Sequence, residues 1–344
     1  MINLTLMFIL EIRYGEEVKN DVLQQSVTTR KRSTENPKYP WGTSRPYNAY
    51  VDYLRQTFGT RLQKVTVDAG FTCPNRDGSK GYGGCIYCNN DSFKQTYNTT
   101  EMSIPDQIET GISFLSRRYK VDRFIVYFQA YSNTYAPLKR LQVLYEQALS
   151  HPRVAGLAIG TRSDCIDEEK IAYLEQLARD YYITVEYGLE SPYDKSLTWI
   201  SRQHDFQNWV DAVEMIAGRG IHICSHIILG FPTETKKEML ETARIISRYP
   251  IDYLKIHHLH IVRKTILAKK YQDNPFHLFD YREYIDFVLQ FLQHLRPDIR
   301  VQRLVGETHP RLLIGPNWGL RVDVIQRDIE HEMQRKGVWQ GKLY

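Results

Sequence analysis

The sequence predicts an α/β protein with a parallel sheet, and three observations support this prediction. Six short runs rich in Val, Ile, Tyr and Phe recur along the chain, each bounded by turn residues. Five segments with helical periodicity lie between them. The chain has 344 residues, of which 42% are hydrophobic, enough for one large domain or two smaller ones. Strands that alternate with helices of this length are typical of βαβ units.

The predicted elements follow in a regular order. The expected strands are LQKVTVDA (62–69), DRFIVYFQA (122–130), VAGLAIGT (154–161), YITVEYGLE (182–190), IHICSHIILG (221–230) and DYLKIHHLHI (252–261). The expected helices are 105–119, 137–150, 167–180, 206–220 and 235–249. Asp167 is a good first residue for the third helix, and Gly218 and Gly220 predict the end of the fourth. Such units form either a partial barrel or a doubly wound sheet, and in both the chemistry lies at the carboxyl ends of the strands.

The chain divides into three predicted parts. Residues 1–44 are expected to be a polar, poorly ordered leader, 45–262 hold the six units, and 263–344 form a C-terminal extension packed on them. The opening MINLTLMFIL is too short to span a membrane and lacks the positive flank of a signal peptide. Five cysteines form no even, regularly spaced framework, so we expect a protein of the reducing cytoplasm with no membrane association.

The charge balance is only mildly basic. The net charge is +5 at pH 7. Residues 261–344 contain 14 Lys and Arg against 10 Asp and Glu, so +4 of the excess lies in the last quarter of the chain. This asymmetry is compatible with a polyanionic partner, although an ordinary solvated surface gives the same balance.

Three of the five cysteines lie in one polar, Gly-rich loop directly after the first predicted strand. Residues 67–93 read VDAGFTCPNRDGSKGYGGCIYCNNDSF and contain Cys73, Cys85 and Cys88. Thiolates select zinc or iron–sulfur clusters, and a structural zinc site needs a fourth ligand that is missing nearby. Three thiolates on a four-iron cluster would leave one iron open to a substrate or cofactor. A zinc clip in a non-enzymatic nucleic-acid-binding protein is the alternative interpretation.

Together with the strand pattern, this loop resembles that of the radical S-adenosylmethionine superfamily, which implies a partial (βα)6 TIM-like barrel. The commonest cysteine spacing of the superfamily is C-x3-C-x2-C, whereas this chain has C-x11-C-x2-C. The longer gap resembles a bacterial branch related to the catalytic subunit of Elongator, labelled YhcC-like or YtqA-like. Further blocks match it in order from about residue 45 onward: FQAYSNTYAP, IGTRSDC, VEYGLES, SRQHD, HIILGFPTET, KIHHLHI, RLVGETHPRLLIGPNW and WQGK.

The resemblance implies two cofactors. Cys73, Cys85 and Cys88 would hold a [4Fe-4S] cluster, whose open iron would bind the amino and carboxylate groups of S-adenosyl-L-methionine. Tyr87 resembles the aromatic residue that the superfamily places near the adenine. Arg202 in SRQHD resembles the arginine that grips the cofactor carboxylate, a task that a planar guanidinium suits.

The remaining candidate cofactor residues follow later strands. QAYSN occupies the place where the superfamily often has GGE, so binding of the cofactor ammonium would pass to Gln129, Ser132 or backbone carbonyls. Asn133 is as compatible with loop packing as with this role. Glu190 ends the fourth strand, where it can accept hydrogen bonds from a ribose diol. Gly230 allows the backbone to approach a ligand closely.

Two further groups of residues are expected inside the barrel. Glu186 lies four residues before Glu190 on the same face of the strand, and Arg162 is its candidate ion-pair partner. Histidines 226, 258 and 260 have even spacings that allow them to face inward, but a strand histidine is more often a satisfied core group than a catalyst. The sequence identifies no individual catalytic acid or base.

The resemblance also implies a reaction. The tail is too short for the acetyltransferase domain of Elongator, so we expect a stand-alone radical enzyme that cleaves S-adenosylmethionine to a 5′-deoxyadenosyl radical. Some members of the branch convert the carboxymethylaminomethyl group on carbon 5 of the tRNA wobble uridine toward aminomethyl. The expected partners are therefore a tRNA and an electron donor such as flavodoxin or ferredoxin. A radical enzyme with another substrate is the alternative within the superfamily.

Overall fold

The computed structural model describes residues 39–92 and 101–344. Most of the leader predicted for residues 1–44 lies outside the described residues. The strands are β1 (Leu62–Val67), β2 (Arg123–Phe128), β3 (Val154–Thr161), β4 (Tyr182–Glu190), β5 (His222–Leu229), β6 (Tyr253–His258), β7 (Ile261–Val262), β8 (Arg300–Arg303) and β9 (Leu313–Gly315). The helices are α1 (Tyr50–Phe58), α2 (Ile104–Tyr119), α3 (Leu138–Leu149), α4 (Glu168–Ala178), α5 (Asp194–Trp199), α6 (Phe206–Ile216), α7 (Lys236–Ile246), α8 (Ile266–Asp273), α9 (Tyr281–His294) and α10 (Val322–Lys336).

Seven strands form one parallel sheet in the order β1-β2-β3-β4-β5-β6-β8. The sheet is a half-barrel, which confirms the predicted α/β class and the partial TIM-like architecture. Strands β1 to β6 are the six predicted strands, and α2, α3, α4, α6 and α7 are the five predicted helices. Each helix connects two adjacent strands, as βαβ units require.

The prediction of six strands was incomplete because the C-terminal extension adds a seventh. Strand β8 reads RVQR and pairs with β6 only through Tyr253, Leu254 and Lys255. Four residues with three polar side chains carry no apolar run, so strand patterns do not detect them. On its other side, the Val301 N–H donates to the carbonyl of Asn48 at 2.7 Å, which protects this edge of the sheet.

The helices begin where polar side chains satisfy their first N–H groups. Asp167 accepts a hydrogen bond from the Lys170 N–H and starts α4, as predicted. Reciprocal capping boxes start α6 at Asp205 and α7 at Thr235. After α6, Gly218 and Gly220 have φ of +78° and +73°, the left-handed region that glycine enters without strain. These local signals fix where each helix joins the sheet.

The two faces of the sheet pack differently. On the outer face, alternate residues such as Val126, Leu157 and Val185 are fully buried in the core shared with the helices. On the inner face, α1 places Tyr50 and Leu54 in a second apolar cluster that closes the amino end of the half-barrel. The carboxyl end of the inner face carries polar residues instead. The fold therefore leaves one open, polar end for a site.

The extension after β6 packs against the half-barrel. Helix α9 buries seven of its residues, and Tyr284 among them is fully inaccessible. Strands β7 and β9 form a separate antiparallel pair. Among residues 39–92 and 101–344, no helix combines the length and apolar composition that a membrane crossing requires.

Candidate cofactor and substrate site

A cavity of about 270 Å³ opens at the carboxyl ends of the strands. It is lined by the cysteine loop after β1, by the ends of β2 to β6, and by the segment that follows β8. Of the predicted site residues, it brings together Cys73, Cys85, Cys88, Tyr87, Gln129, Glu190 and Arg202. These residues span 130 positions of the sequence, from 73 to 202, and converge because parallel strands place their following loops at one edge.

The cysteine loop is held in shape by its own hydrogen bonds. The Arg76 N–H donates to the Cys73 carbonyl at 2.8 Å, and the Cys88 N–H donates to the Cys85 carbonyl at 2.9 Å. The second bond closes a turn, and both cysteines of the C-x2-C pair line the cavity. Gly84 has φ +84°, and a Cβ there would lie 2.9 Å from the Arg76 side chain. All three cysteines are free of disulfides.

Polar and cationic groups surround the sulfurs. The Asn75 amide donates to Cys85 Sγ at 3.5 Å, and Arg202 Nη1 donates to the same sulfur at 3.6 Å. Burial raises the pKa of the Cys88 thiol, and the nearby Cys85 and Cys73 add to this, whereas Arg76 opposes it. Positive charge next to the sulfurs suits thiolate ligands of a metal centre, whose potential depends on such hydrogen bonds.

The spacing of the sulfurs suits a cluster better than a single zinc ion. Zn–S bonds of about 2.3 Å bring tetrahedral sulfur ligands within about 4 Å of one another. Among the described residues, the one group of three potential ligands with all donor atoms within 4.8 Å is Glu186, Cys224 and His226. The three sulfurs of the cysteine loop are therefore not all within 4.8 Å of one another. Ligands at three corners of an iron–sulfur cube need this wider separation.

Arg202 is positioned tightly beside the cysteine loop. It is only 7% exposed, and its Nη2 donates to the Gly188 carbonyl at 2.6 Å and lies 3.5 Å from Glu190 Oε1. Its neighbours Ser201 and Gln203 have φ of +57° and +59°, a left-handed conformation that costs free energy in non-glycine residues. Arg202 Nε has no hydrogen-bond partner in the described part of the chain. A buried donor without a partner fits a residue that awaits a ligand.

Glu190 combines burial with a strained backbone. Its φ is +64°, and the register between β4 and β5 shifts between Gly188 and Glu190. Glu190 nevertheless lines the same cavity as Glu186. Burial raises the pKa of Glu190, whereas Arg202 and Tyr87 lower it. Strain of this kind concentrates at functional sites.

The residues after β2 divide into two groups. Gln129 and Tyr131 line the cavity. Ser132 and Asn133 do not line it and are fully buried. The Ser132 hydroxyl lies 2.9 Å from that of Thr161, and the Asn133 amide donates to the Gly160 carbonyl at 2.8 Å. These bonds join the loop to the end of β3, and a cofactor role for Ser132 and Asn133 stays a prediction.

Gly230 lies at the end of β5 but does not line the cavity. Its φ is +102°, and a Cβ there would lie 3.2 Å from the ring of Phe279. Its N–H points to Met239 Sδ at 3.1 Å. The close approach that this glycine allows is therefore to an aromatic side chain of the extension, and its proposed ligand contact stays a prediction.

The predicted pairing of Glu186 with Arg162 was wrong. Arg162 instead forms a bidentate ion pair with Asp164, with both distances at 2.8 Å, and donates to the Arg202 carbonyl at 2.9 Å. Arg162 and Asp164 are two residues apart on one turn, so their side chains meet readily. Arg162 directly follows β3, whereas Glu186 belongs to the neighbouring strand β4 and lies at a different depth in the barrel. Arg162 therefore supports the segment that carries Arg202, rather than the interior of the barrel.

The actual partners of Glu186 were missed by sequence reasoning. Its carboxylate accepts hydrogen bonds from Lys64 and Lys255, and His226 Nε2 lies 3.0 Å from its second oxygen. Lys255 also donates to the Tyr127 hydroxyl at 3.1 Å. These side chains come from five strands and meet in the interior of the half-barrel. A single lysine within each of the apolar strands β1 and β6 was the available signal, because a strand lysine on an inward position needs a buried carboxylate.

The electrostatics of this group follow from burial and mutual charge. Burial alone would raise the pKa of Glu186, but the ammonium groups of Lys255 and Lys64 hold it well below its usual range. Burial lowers the pKa of Lys255 to about 8, although Glu186 opposes this change. Burial and Lys255 lower the pKa of His226 to about 4, so this imidazole is neutral at pH 7.

A second histidine group lies at the wall formed by the extension. His260 Nε2 is 2.7 Å from His258 Nε2, and its Nδ1 is 2.7 Å from the Thr308 hydroxyl. The His258 ring stacks on Trp318 with centroids 4.2 Å apart. Burial holds the pKa of His258 well below its usual range. The stacking gives Trp318 an internal packing role beside this histidine.

Comparisons with known proteins agree with this geometry. Residues 73–246 match the radical SAM superfamily, and residues 251–335 match the radical SAM C-terminal domain. The uncharacterized protein YtqA of Bacillus subtilis is 32% identical over 311 residues, which cover 90% of this chain and 97% of YtqA.

More distant similarities extend to enzymes related to Elongator. A tRNA uridine(34) acetyltransferase of Methanocaldococcus infernus is 22% identical over 190 residues, which cover 54% of this chain and 34% of that protein. The solved structure of archaeal Elp3 from the same organism superimposes with a TM-score of 0.64 at 15% identity. That superposition covers 81% of this chain and 64% of the Elp3 chain. The latter likeness concerns the fold alone.

Proposed function

Because the chain belongs to the radical S-adenosylmethionine superfamily, and within it to the family of YtqA, we propose that it modifies the carbon-5 side chain of the tRNA wobble uridine. As a member of this superfamily it is an enzyme with a [4Fe-4S] cluster and S-adenosylmethionine as cofactors. The observation that carries the tRNA assignment is the sequence similarity to a tRNA uridine(34) acetyltransferase. We infer that the reaction takes a carboxymethylaminomethyl group toward aminomethyl.

The chain's own residues have separate tasks in this proposal. Cys73, Cys85 and Cys88 hold the cluster, which when bound supplies the electron that cleaves S-adenosylmethionine to methionine and a 5′-deoxyadenosyl radical. Arg202 binds the cofactor carboxylate with its free Nε and stays aligned through the Gly188 carbonyl. Glu190 accepts hydrogen bonds from the ribose diol.

Gln129 and Tyr87 complete the cofactor end of the cavity. Gln129 would offer an acceptor to the cofactor ammonium, and Tyr87, between Cys85 and Cys88 in the sequence, would pack its ring near the adenine. The Glu186 group lies deeper along the same wall, on the inner face of the strands. The cofactor would thus occupy one end of the cavity, and the space toward β6 and β8 remains for the reacting part of the substrate.

The overall reaction balances without a further oxidant. The carboxymethylamino group and one water would give an amine, glyoxylate, two protons and two electrons. Cleavage of S-adenosylmethionine to methionine and 5′-deoxyadenosine consumes two electrons and one proton. The remaining proton is taken up by the basic amine product. A flavodoxin or ferredoxin would supply the starting electron in the cytoplasm.

Nucleoside analysis tests this proposal. The anaerobically reconstituted enzyme is incubated with S-adenosylmethionine, dithionite and a tRNA that contains carboxymethylaminomethyluridine. The tRNA is then digested, and its nucleosides are separated and identified by mass spectrometry. We expect the loss of a two-carbon acid from this nucleoside and formation of aminomethyluridine. Formation of 5′-deoxyadenosine with an unchanged tRNA would assign the enzyme to another substrate.

A further inference from the structure

One arginine in the cavity wall has no carboxylate partner. Arg303 ends β8 and pairs with Lys255 of β6 through its backbone. Its side chain lines the cavity but forms no hydrogen bond or ion pair with any residue that the structure describes. Glu186 is shared by Lys64 and Lys255, and Glu190 lies beside Arg202. A partly buried guanidinium with no anion beside it costs free energy unless a ligand supplies that anion.

Arg303 and Lys255 are neighbours in the sheet. They are register partners on the parallel strands β8 and β6, so their side chains leave the sheet on the same face. Both line the cavity, and Lys255 is only 6% exposed. Tyr127 lies beside Lys255, with the Lys255 ammonium 4.4 Å from its ring centroid. The two cations therefore form one wall of the inner end of the cavity.

The other groups at this end do not neutralise the positive charge. Lys64, Lys255 and Arg303 face the single carboxylate of Glu186. The histidines beside them, His226, His257 and His260, have pKa values lowered by burial and by these cations, so they are neutral at pH 7. Glu307 is exposed and also lines the cavity, but among the described residues it forms no ion pair with Arg303. Neutral imidazoles can donate an N–H to an anion without adding charge.

From this arrangement we infer that the inner end of the cavity binds a carboxylate of the substrate between Arg303 and Lys255. This inference rests on the proposed function and specifies how the substrate is recognised: the carboxylate ends the side chain on carbon 5 of the uridine. A planar guanidinium binds a carboxylate through two parallel hydrogen bonds, and the ammonium of Lys255 adds a third. The enzyme would thereby select the carboxymethylaminomethyl group over uncharged side chains.

A carboxylate fits this end better than a phosphate of the RNA backbone. A phosphodiester carries a ribose on each side, so both riboses would have to enter the cavity for the phosphate to reach its inner end. A carboxylate at the tip of a flexible side chain reaches the interior while the ribose and phosphates stay outside. Phosphate contacts are therefore expected on the surface around the cavity.

The test compares two RNAs and four enzymes. One anticodon stem-loop carries carboxymethylaminomethyluridine. The second has the same sequence, but a carboxamide of the same shape and no charge replaces the carboxylate of the uridine side chain. Holoenzyme is used without reductant, so that binding is measured without turnover. The variants are Arg303→Gln, Arg303→Lys and the control Arg300→Gln, which removes the same charge from the other end of β8, where Arg300 lies 4.0 Å from the ring centroid of Tyr53.

We expect wild type and Arg300→Gln to bind the carboxylate RNA at least about tenfold more tightly than the carboxamide RNA, because a hydrogen-bonded charge contributes about 1.5–3 kcal/mol. Arg303→Gln should lose this preference and leave carboxamide binding unchanged, and Arg303→Lys should keep part of it. The wild-type preference does not depend on whether a variant folds.

Three outcomes would overturn the inference. Equal binding of both RNAs by wild type would contradict it, as would an unchanged preference in Arg303→Gln. An equal loss for both RNAs in Arg303→Gln would identify Arg303 as a phosphate contact. Each of these leaves the proposed function intact if the wild type, given reductant, converts the carboxylate RNA. Absence of conversion refutes the proposed function, and this assignment with it.

Discussion

Glu186 is the residue on which the charge balance of the barrel interior depends. It is 1% exposed and accepts hydrogen bonds from two lysines, with a neutral histidine 3.0 Å from its second oxygen. Such a buried group is costly to assemble, but removal of one member leaves the others uncompensated. Lys64 and Lys255 would then face each other across a neutral side chain.

Glu186→Gln should therefore lower the free energy of unfolding at pH 7 by about 3–5 kcal/mol, the usual cost of breaking a buried ion pair. The measurement is urea unfolding followed by circular dichroism. Glu169→Gln, an exposed change in α4, is the matched control and should stay within about 0.5 kcal/mol of wild type. If Glu186→Gln lowered the free energy of unfolding by less than about 1 kcal/mol, the two buried lysines would not need this carboxylate to compensate their charge.

The same variant has a predicted pH dependence. The pKa of Glu186 is lower in the folded than in the unfolded protein, so its stabilising contribution is present above the unfolded value of about 4.3 and is lost as pH falls toward the folded value. The difference in unfolding free energy between wild type and Glu186→Gln should shrink between pH 5 and pH 3, a range set by that unfolded value of about 4.3. A constant difference over this range would contradict the lowered pKa.

Cys85 offers a test of the metal centre. Cys85→Ala removes a proposed cluster ligand in a loop that contributes little to the hydrophobic core, so we expect iron incorporation and cleavage of S-adenosylmethionine to be lost while unfolding stays cooperative. Cys165→Ala is the control, because this buried thiol, whose pKa burial and Asp164 raise to about 11, does not line the cavity. Iron and sulfide analysis after anaerobic reconstitution measures the difference. Loss of cooperative unfolding in Cys85→Ala would give the loop a structural role instead.

Local patterns explain which residues could be predicted. The cysteines were identifiable because their spacing lies within one loop. The partners of Glu186 were not, because Lys64 and Lys255 are 122 and 69 positions away and only the closure of the sheet brings them together. The unpaired state of Arg303 is likewise a property of the folded cavity, not of its neighbours in sequence.

At the scale of elements, β4 supplies both the interior carboxylate and the cofactor end of the site. Its inner face alternates Glu186, Gly188 and Glu190, and the glycine makes room for two side chains above it. A Cβ at Gly188 would lie 2.5 Å from Glu190 Oε1 and 2.6 Å from Arg202 Nη2. Both are ends of longer side chains, so a larger residue would displace them without breaking the strand.

Gly188→Ala should weaken binding of S-adenosylmethionine to the reconstituted enzyme about tenfold, which corresponds to about 1.4 kcal/mol, with little effect on stability. Gly156→Ala in β3 provides the contrast, because its Cβ would lie 1.8 Å from the Tyr182 carbonyl oxygen and would break the β3–β4 pairing. Equilibrium binding and thermal melting separate the two effects. A Gly188→Ala protein that binds normally would remove Glu190 and Arg202 from the cofactor site.

Strand patterns located six of the seven strands because each is an apolar run bounded by turns. They failed for β8, which is short, polar and held mainly by its place beside β6. Helix starts at Asp167 and ends at Gly218 were predictable because capping depends on neighbours within four residues. A strand or a helix end can therefore be predicted from the sequence when local interactions define it.

At the scale of the whole molecule, the two ends of the described chain meet at the edge of the half-barrel. Gln340 is 1% exposed, and its amide nitrogen donates to the carbonyls of Arg296 and Ile299, both at 2.8 Å. Its oxygen accepts from the Asn48 N–H at 2.9 Å. The carbonyl of Asn48 in turn accepts a hydrogen bond from the N–H of Val301 in β8. Contacts near the C-terminus therefore support the strand that carries Arg303.

Gln340→Ala should leave three buried backbone groups without partners and lower the free energy of unfolding by about 2–4 kcal/mol, at about 1–3 kcal/mol for each unsatisfied group with partial relaxation. Gln334→Ala, an exposed change in α10, is the control. Urea unfolding measures both. Equal stability of the two variants would mean that residues 48 and 340 do not hold the edge of the sheet.

The most direct test of the central claim is the amount of 5′-deoxyadenosine formed with and without tRNA. Reconstituted enzyme, S-adenosylmethionine and dithionite are combined with tRNA that contains carboxymethylaminomethyluridine, or with the same tRNA lacking this side chain. We predict 5′-deoxyadenosine in both, with a clear increase only for the modified tRNA and aminomethyluridine formed in matching amount. No 5′-deoxyadenosine from an iron-loaded protein would contradict the assignment of the reaction, and an equal amount with both tRNAs would contradict the assignment of the substrate.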